Sequence, residues 1–117
     1  MNQKEIGLLV LRLGLASVFL WFGFSQLTNG IAWVAWVPEW AVQLLHIPPA
    51  MIVLGNGLFE VIAGALLALG FFVRPVAVLL AIHTAIIVFE IGFTAIGVRD
   101  FGLLTGLIAL ALISQKN

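Results

Sequence analysis

The chain has 117 residues, of which 63% are hydrophobic and only 9% charged. Soluble domains are near half apolar and a quarter charged, and a domain this small leaves much of its surface exposed, so a water-soluble fold is excluded and an integral membrane protein is expected. Net charge is zero, with no run of Lys or Arg, which argues against nucleic acid as a partner. The absence of cysteine rules out disulfides, thiol redox chemistry and Cys-ligated metals within this chain.

A bilayer is crossed by about twenty apolar residues in a helix. The first such run extends from Ile6 to about Leu27 and ends at Thr28, Asn29 and Gly30. It is too long for the apolar segment of a signal peptide, contains Arg12 and lacks an A-x-A-like site, so a retained helix is expected. The connection 28–49 follows. It carries Trp33, Trp36 and Trp40 around Pro38 and Glu39, and Pro38 suits the first turn of a short helix. Two readings stay open for this segment: an interfacial helix with its indoles at headgroup level, or a lid over a cavity between the spans.

The second span runs from about Ala50 to Val73, with a break expected at Arg74-Pro75 because proline lacks an N–H and disfavours helix in the residue before it. The third covers Pro75 to about Ile96. The fourth runs from Asp100, an expected N-cap, to about Ser114; it is short and is expected to begin earlier or to sit in a thinned bilayer. The fold class is therefore all-α: one membrane domain, a four-helix bundle with a short interfacial helix between helices 1 and 2. Lys4, Arg12, Arg74 and Lys116 fall on one side and Arg99 on the other, which predicts cytoplasmic termini in the cell membrane.

Ionisable groups in a span cost roughly 2.5–3.5 kcal/mol to insert and usually face the bundle interior. Arg12, Ala16, Phe19, Gly23 and Gln26 share one face of the first helix, and Asn56, Glu60 and Gly64 one face of the second. Rise per residue places Glu60 near the midplane and Arg12 about 10 Å from the inner end, so the expected partnership is an Arg12–Glu60 ion pair, either a register-setting contact or part of a ligand or proton site. His83 and Glu90 share a face of the third helix. His83 reads as a neutral core histidine bonded to a neighbouring helix, and Glu90 as a partner of Arg99. The fourth helix offers Gly102, Gly106 and Ala109 as a packing stripe without charge. Haem is not expected, because His46 lies outside the span at another depth from His83, and no metal cluster or catalytic constellation stands out.

Several pieces, in this order, resemble the DoxX family of small four-helix membrane proteins: Arg12-Leu13-Gly14 followed by Phe19-Leu20-Trp21-Phe22-Gly23; Trp36-Val37-Pro38 and Trp40; Phe59-Glu60 with Gly64, Leu66-Leu67, Gly70 and Arg74; and Arg99-Asp100-Phe101-Gly102-Leu103. Family members often carry an acidic residue and then a lysine where this chain has Ser25 and Gln26. The resemblance implies association with sulfur, thiol or quinone-linked redox systems, in which the DoxX-like chain is a membrane partner more than the seat of chemistry. The expected role is a non-catalytic subunit with a redox protein partner and an intramembrane polar centre of Arg12, Gln26, Asn56, Glu60, His83 and Glu90. Trp36, Trp40, Arg99 and Asp100 lie on its outer side, and quinone is the cofactor to consider. The other readings are an assembly scaffold and a small transporter using Glu60 protonation, which would need a homo-oligomeric interface.

Overall fold

The computed structural model describes residues 1–114; Lys116, counted above toward the charge asymmetry, lies outside them. The elements are α1 (Gln3–Thr28), a 3-10 helix (Gly30–Trp36), α2 (Glu39–Leu45), α3 (Pro49–Leu69), α4 (Val73–Ile91) and α5 (Ala95–Ile113). Among the described residues, four helices are long and apolar enough to cross a membrane: α1, α3, α4 and α5. Large apolar side chains such as Trp21, Phe24, Leu58, Ile82, Phe89 and Leu112 stay exposed on the outside, the inverse of a soluble fold. The chain is a multi-pass membrane protein.

Two span boundaries differ from expectation. The break between the second and third spans falls at residues 70–72, not at Arg74-Pro75. Gly70 takes the left-handed conformation (φ 83°), and the Gly70 and Phe71 amides fold back onto Leu66 and Leu67 to close α3. Pro75 then lies in the first turn of α4, where its missing N–H has no partner to lose. The last helix starts at Ala95 and not at Asp100. Its cap is Thr94, whose hydroxyl accepts from the Gly97 amide at 3.0 Å. The longer helix spans about 28 Å at 1.5 Å per residue and needs no thinned bilayer.

The four spans form a ring in the order α1, α3, α4, α5. The tight pairs are α1 with α3 and α4 with α5; the seams α3–α4 and α1–α5 are looser. Small residues explain the first tight pair. A Cβ at Gly23 would lie 2.6 Å from Val61 Cγ2 and 2.9 Å from the Gly57 carbonyl oxygen, and one at Gly57 would meet Gln26 Cβ at 2.9 Å. Glycine at these positions lets the backbones touch.

The apolar core fills only one half of the bundle. Leu67, Leu80, Leu107 and Leu110 are fully buried with Leu15, Ala16 and Ala77 around them, all toward the end that carries the chain termini and the 70–72 turn. Toward the other end, roofed by the 3-10 helix, the ring opens into a cavity.

Candidate functional site

The cavity has a volume of about 340 Å³ and takes side chains from all four spans and the 29–48 connection. Its walls are mostly apolar, with Phe19 and Phe22 from α1 and Ile87 from α4, and its roof holds Trp33, Trp36, Val37 and Pro38. The lid reading of the tryptophan segment is thus the one the geometry favours. Trp33 donates to Ser25 Oγ at 3.0 Å and packs edge-on to Phe22 at 5.5 Å, tying the roof to α1. Trp40 in α2 donates to Glu90 Oε2 at 3.0 Å, tying the roof to α4.

A polar cluster sits deep in this space. Glu60 is buried about 16 Å along α3 from its start, near the middle of the span. Its Oε1 accepts from Gln26 Nε2 at 2.6 Å and from Asn56 Nδ2 at 3.0 Å, and Asn56 Nδ2 also lies 2.7 Å from Gln26 Oε1. His83 Nε2 on α4 is 3.9 Å from Glu60 Oε2, and the imidazole packs edge-on against Phe59 with ring centroids 5.2 Å apart. Among the described residues, two buried polar atoms of the wall have no hydrogen-bond partner: His83 Nε2 and, one residue on, Thr84 Oγ1. Thr84 is only 3% exposed. Orphaned groups of this kind are rare in folded proteins and point to a missing partner.

The expected Arg12–Glu60 ion pair does not form. Arg12 Nη1 instead donates to the Leu67 and Ala68 carbonyl oxygens at 2.8 and 3.4 Å, with the guanidinium lying against Gly70. The helix C-terminus presents unsatisfied carbonyls and partial negative charge, which is a nearer and equally suitable target for a cation. Glu60 in turn is solvated by two amides. Among the described residues no Arg or Lys lies within ion-pair distance of it, and the His83 imidazole stands 3.9 Å away.

Glu90 and Arg99 are not partners either. Arg99 turns back on its neighbour, with its Nη2 3.1 Å and its Nε 3.2 Å from Asp100 Oδ1, and its guanidinium lies 5.4 Å from the Phe22 ring centroid. Asp100 is buried within α5, so the fourth span does bring a charged residue to the cavity. The packing face of that helix is Gly97, Leu107, Leu110 and Ala111; Gly102 is exposed, and a Cβ there would meet nothing within 4 Å. Thus Gln26, Asn56, Glu60, His83, Glu90, Trp36, Arg99 and Asp100 all line one chamber, while Trp40 touches it through Glu90 and Arg12 stands apart. Thr84 escaped sequence reasoning because a threonine in an apolar helix ordinarily bonds its own backbone; its place one residue after His83 is the only signal.

The family model for DoxX matches residues 7–95, more than half of the chain. This chain belongs to the DoxX family. The matched stretch holds the roof and the Gln26–Asn56–Glu60–His83 cluster, whereas Arg99 and Asp100 lie beyond it. No curated protein and no solved structure matches the chain.

Proposed function

We propose that this DoxX-family chain is a non-catalytic subunit of a redox system in the cell membrane, with both termini cytoplasmic and a redox protein as its partner, and that its cavity holds a quinone-like ligand. The observation that carries the reading is the pair of unpartnered atoms, His83 Nε2 and Thr84 Oγ1, in a chamber otherwise lined by aromatic and aliphatic side chains. Ligand sites are typically apolar pockets with a few convergent polar groups. A quinone head is a flat apolar ring whose carbonyl oxygens accept hydrogen bonds, and the hydroxyl and imidazole supply donors on adjacent positions of α4.

The residues present fit such a head. His83 and Thr84 would hold its acceptor oxygens; Phe19, Phe22 and the roof indoles would cover its faces. Bound there, a quinone supplies reversible two-electron, two-proton chemistry to its partner. The chain's own contribution is to orient the head, keep water out beneath Trp33 and Trp36, and hold Glu60 beside His83, where a proton on the imidazole has a carboxylate 3.9 Å away. The orientation rests on Lys4, Arg12 and Arg74 at one end of the spans against Arg99 at the other.

The test is direct because the roof carries two reporters. Purified protein in lipid nanodiscs is titrated with a tailless benzoquinone while tryptophan fluorescence is followed. Saturable quenching that weakens about tenfold in His83→Phe is expected, the loss corresponding to one hydrogen bond in a dry site. Quenching that is linear and identical in the wild type and His83→Phe overturns the reading.

A further inference from the structure

The chamber has a neighbour. On the outside of the bundle, between α1 and α5, lies a groove of about 470 Å³ floored by Leu11, Leu15, Gly102 and Gly106. Its inner wall is made of Val18, Phe22, Arg99 and Leu103, and these same four residues also line the central cavity. One layer of side chains therefore separates a lipid-facing groove from the buried Glu60–His83–Thr84 cluster.

We propose that the α1–α5 seam is the lateral doorway of the cavity and that its groove seats a flexible apolar tail, so that the ligand is an amphiphile with a compact acceptor head and a single long chain. This rests on the reading of the cavity given above and adds the tail, the route and the residues that select for them.

Four observations converge on this seam. Of the two loose seams, α3–α4 is closed at cavity depth by the Phe59–His83 stack and the Glu60–His83 approach, which leaves α1–α5. The groove is apolar except at Arg99, so its natural occupant is hydrocarbon. Gly102 and Gly106 keep it open: no side chain projects from the first, and a Cβ at the second would come within 3.4 Å of Leu15. Finally, the wall between groove and chamber is held by a guanidinium lying against an aromatic ring, Arg99 over Phe22 at 5.4 Å, with Arg99 half exposed and anchored to buried Asp100. A cation–π contact at an exposed site is weak, of order 0.5–1 kcal/mol, and neither side chain belongs to the buried apolar core. A ligand that enters from the bilayer core never has to cross water, and Thr84, only 3% exposed and unpartnered, waits at the far end of the route.

The experiment compares two benzoquinones with the same head, one tailless and one bearing a decyl chain, on the wild type, Gly102→Leu and Gly55→Leu in nanodiscs. Affinities from tryptophan quenching are expressed per lipid, so that partitioning into the bilayer cancels. Gly55, like Gly102, sits exposed in a span with nothing within 4 Å of a built Cβ, but on α3, away from the groove; neither substitution meets a steric obstacle. The wild type is expected to prefer the tailed ligand roughly tenfold, since chain packing in a groove gains only modestly over packing in lipid. Gly102→Leu fills the groove and removes that preference while leaving tailless binding within about twofold of wild type; Gly55→Leu changes neither. A wild type that binds both ligands equally, or a Gly102→Leu variant that keeps the preference, overturns the doorway but leaves the cavity reading standing. Failure of both ligands to bind the wild type overturns both.

Discussion

Gln26 Nε2 lies 2.6 Å from Glu60 Oε1, so a carboxylate near the middle of one span is held by an amide from the neighbouring one. The contact is possible because Gly23 and Gly57, three residues before each partner, bring the two backbones together. Replacing Gln26 by Leu leaves Glu60 with the Asn56 amide as its remaining donor and is expected to destabilise the protein by about 2 kcal/mol, the cost of under-solvating a charged acceptor. Adding Glu60→Leu should restore most of the loss. A double-mutant cycle on thermal unfolding in detergent measures the coupling; additive effects would contradict it.

Arg12 acts on the end of α3 and not on Glu60. Arg12→Met should therefore cost about 1–2 kcal/mol by exposing the Leu67 and Ala68 carbonyls, and hydrogen exchange should rise at the amides of residues 66 to 71. Combined with Glu60→Gln, the effects should add to within about 0.5 kcal/mol. Strong coupling between the two substitutions would restore the ion pair that the distances deny.

Thr84→Val separates stability from binding. The substitution removes an unpartnered buried hydroxyl at nearly constant volume, so the empty protein should gain about 1 kcal/mol. Affinity for a tailless benzoquinone should nevertheless fall about fivefold to tenfold. Equal behaviour in both measurements would show that the hydroxyl faces no ligand.

The α1–α3 crossing tolerates no added carbon at its centre. Gly57→Ala places a Cβ 3.0 Å from the Gly23 carbonyl oxygen and 2.9 Å from Gln26 Cβ, and should lose about 1–3 kcal/mol through overpacking. Gly14→Ala, where nothing lies within 4 Å, should be neutral or slightly stabilising in thermal unfolding.

Topology can be read by labelling, because the chain has no cysteine of its own. Single cysteines at Gln3 and Ala35 should react with a membrane-impermeant maleimide from opposite sides, with Ala35 accessible in intact cells and Gln3 only after permeabilisation. The reverse pattern would overturn the orientation drawn from Lys4, Arg12 and Arg74.

How far the sequence carries these conclusions differs from residue to residue. Four spans and the inward stripe of Ala16, Phe19, Gly23 and Gln26 were legible because lipid leaves helical periodicity and length as the dominant signals, and all four of these residues are buried. Partnerships were not. Counting depth along each helix gives the level of Arg12 but not what the neighbouring helix presents there, and the negative end of α3 is a property of backbone geometry that no side chain announces. Asp100 misled for the opposite reason: it is a good capping residue just before an apolar run, yet Thr94 caps the helix six residues earlier and Asp100 is committed to Arg99 inside the bundle. The cavity was visible only as a choice between two roles for the tryptophans, since whether a segment lies on a membrane or over a chamber depends on how far the spans below it splay.

The pairing of α1 with α3 also bears on how the chain enters the membrane. Glu60 and both of its amide donors lie within the first two spans, and the turn that ends the second is capped by an arginine from the first. By the time the ribosome has added residue 70, both amides that hydrogen-bond that carboxylate have already been synthesised. Part of its polar shell thus exists before the remaining two helices do, and the later pair arrives to bring His83 to its other oxygen and to close the chamber.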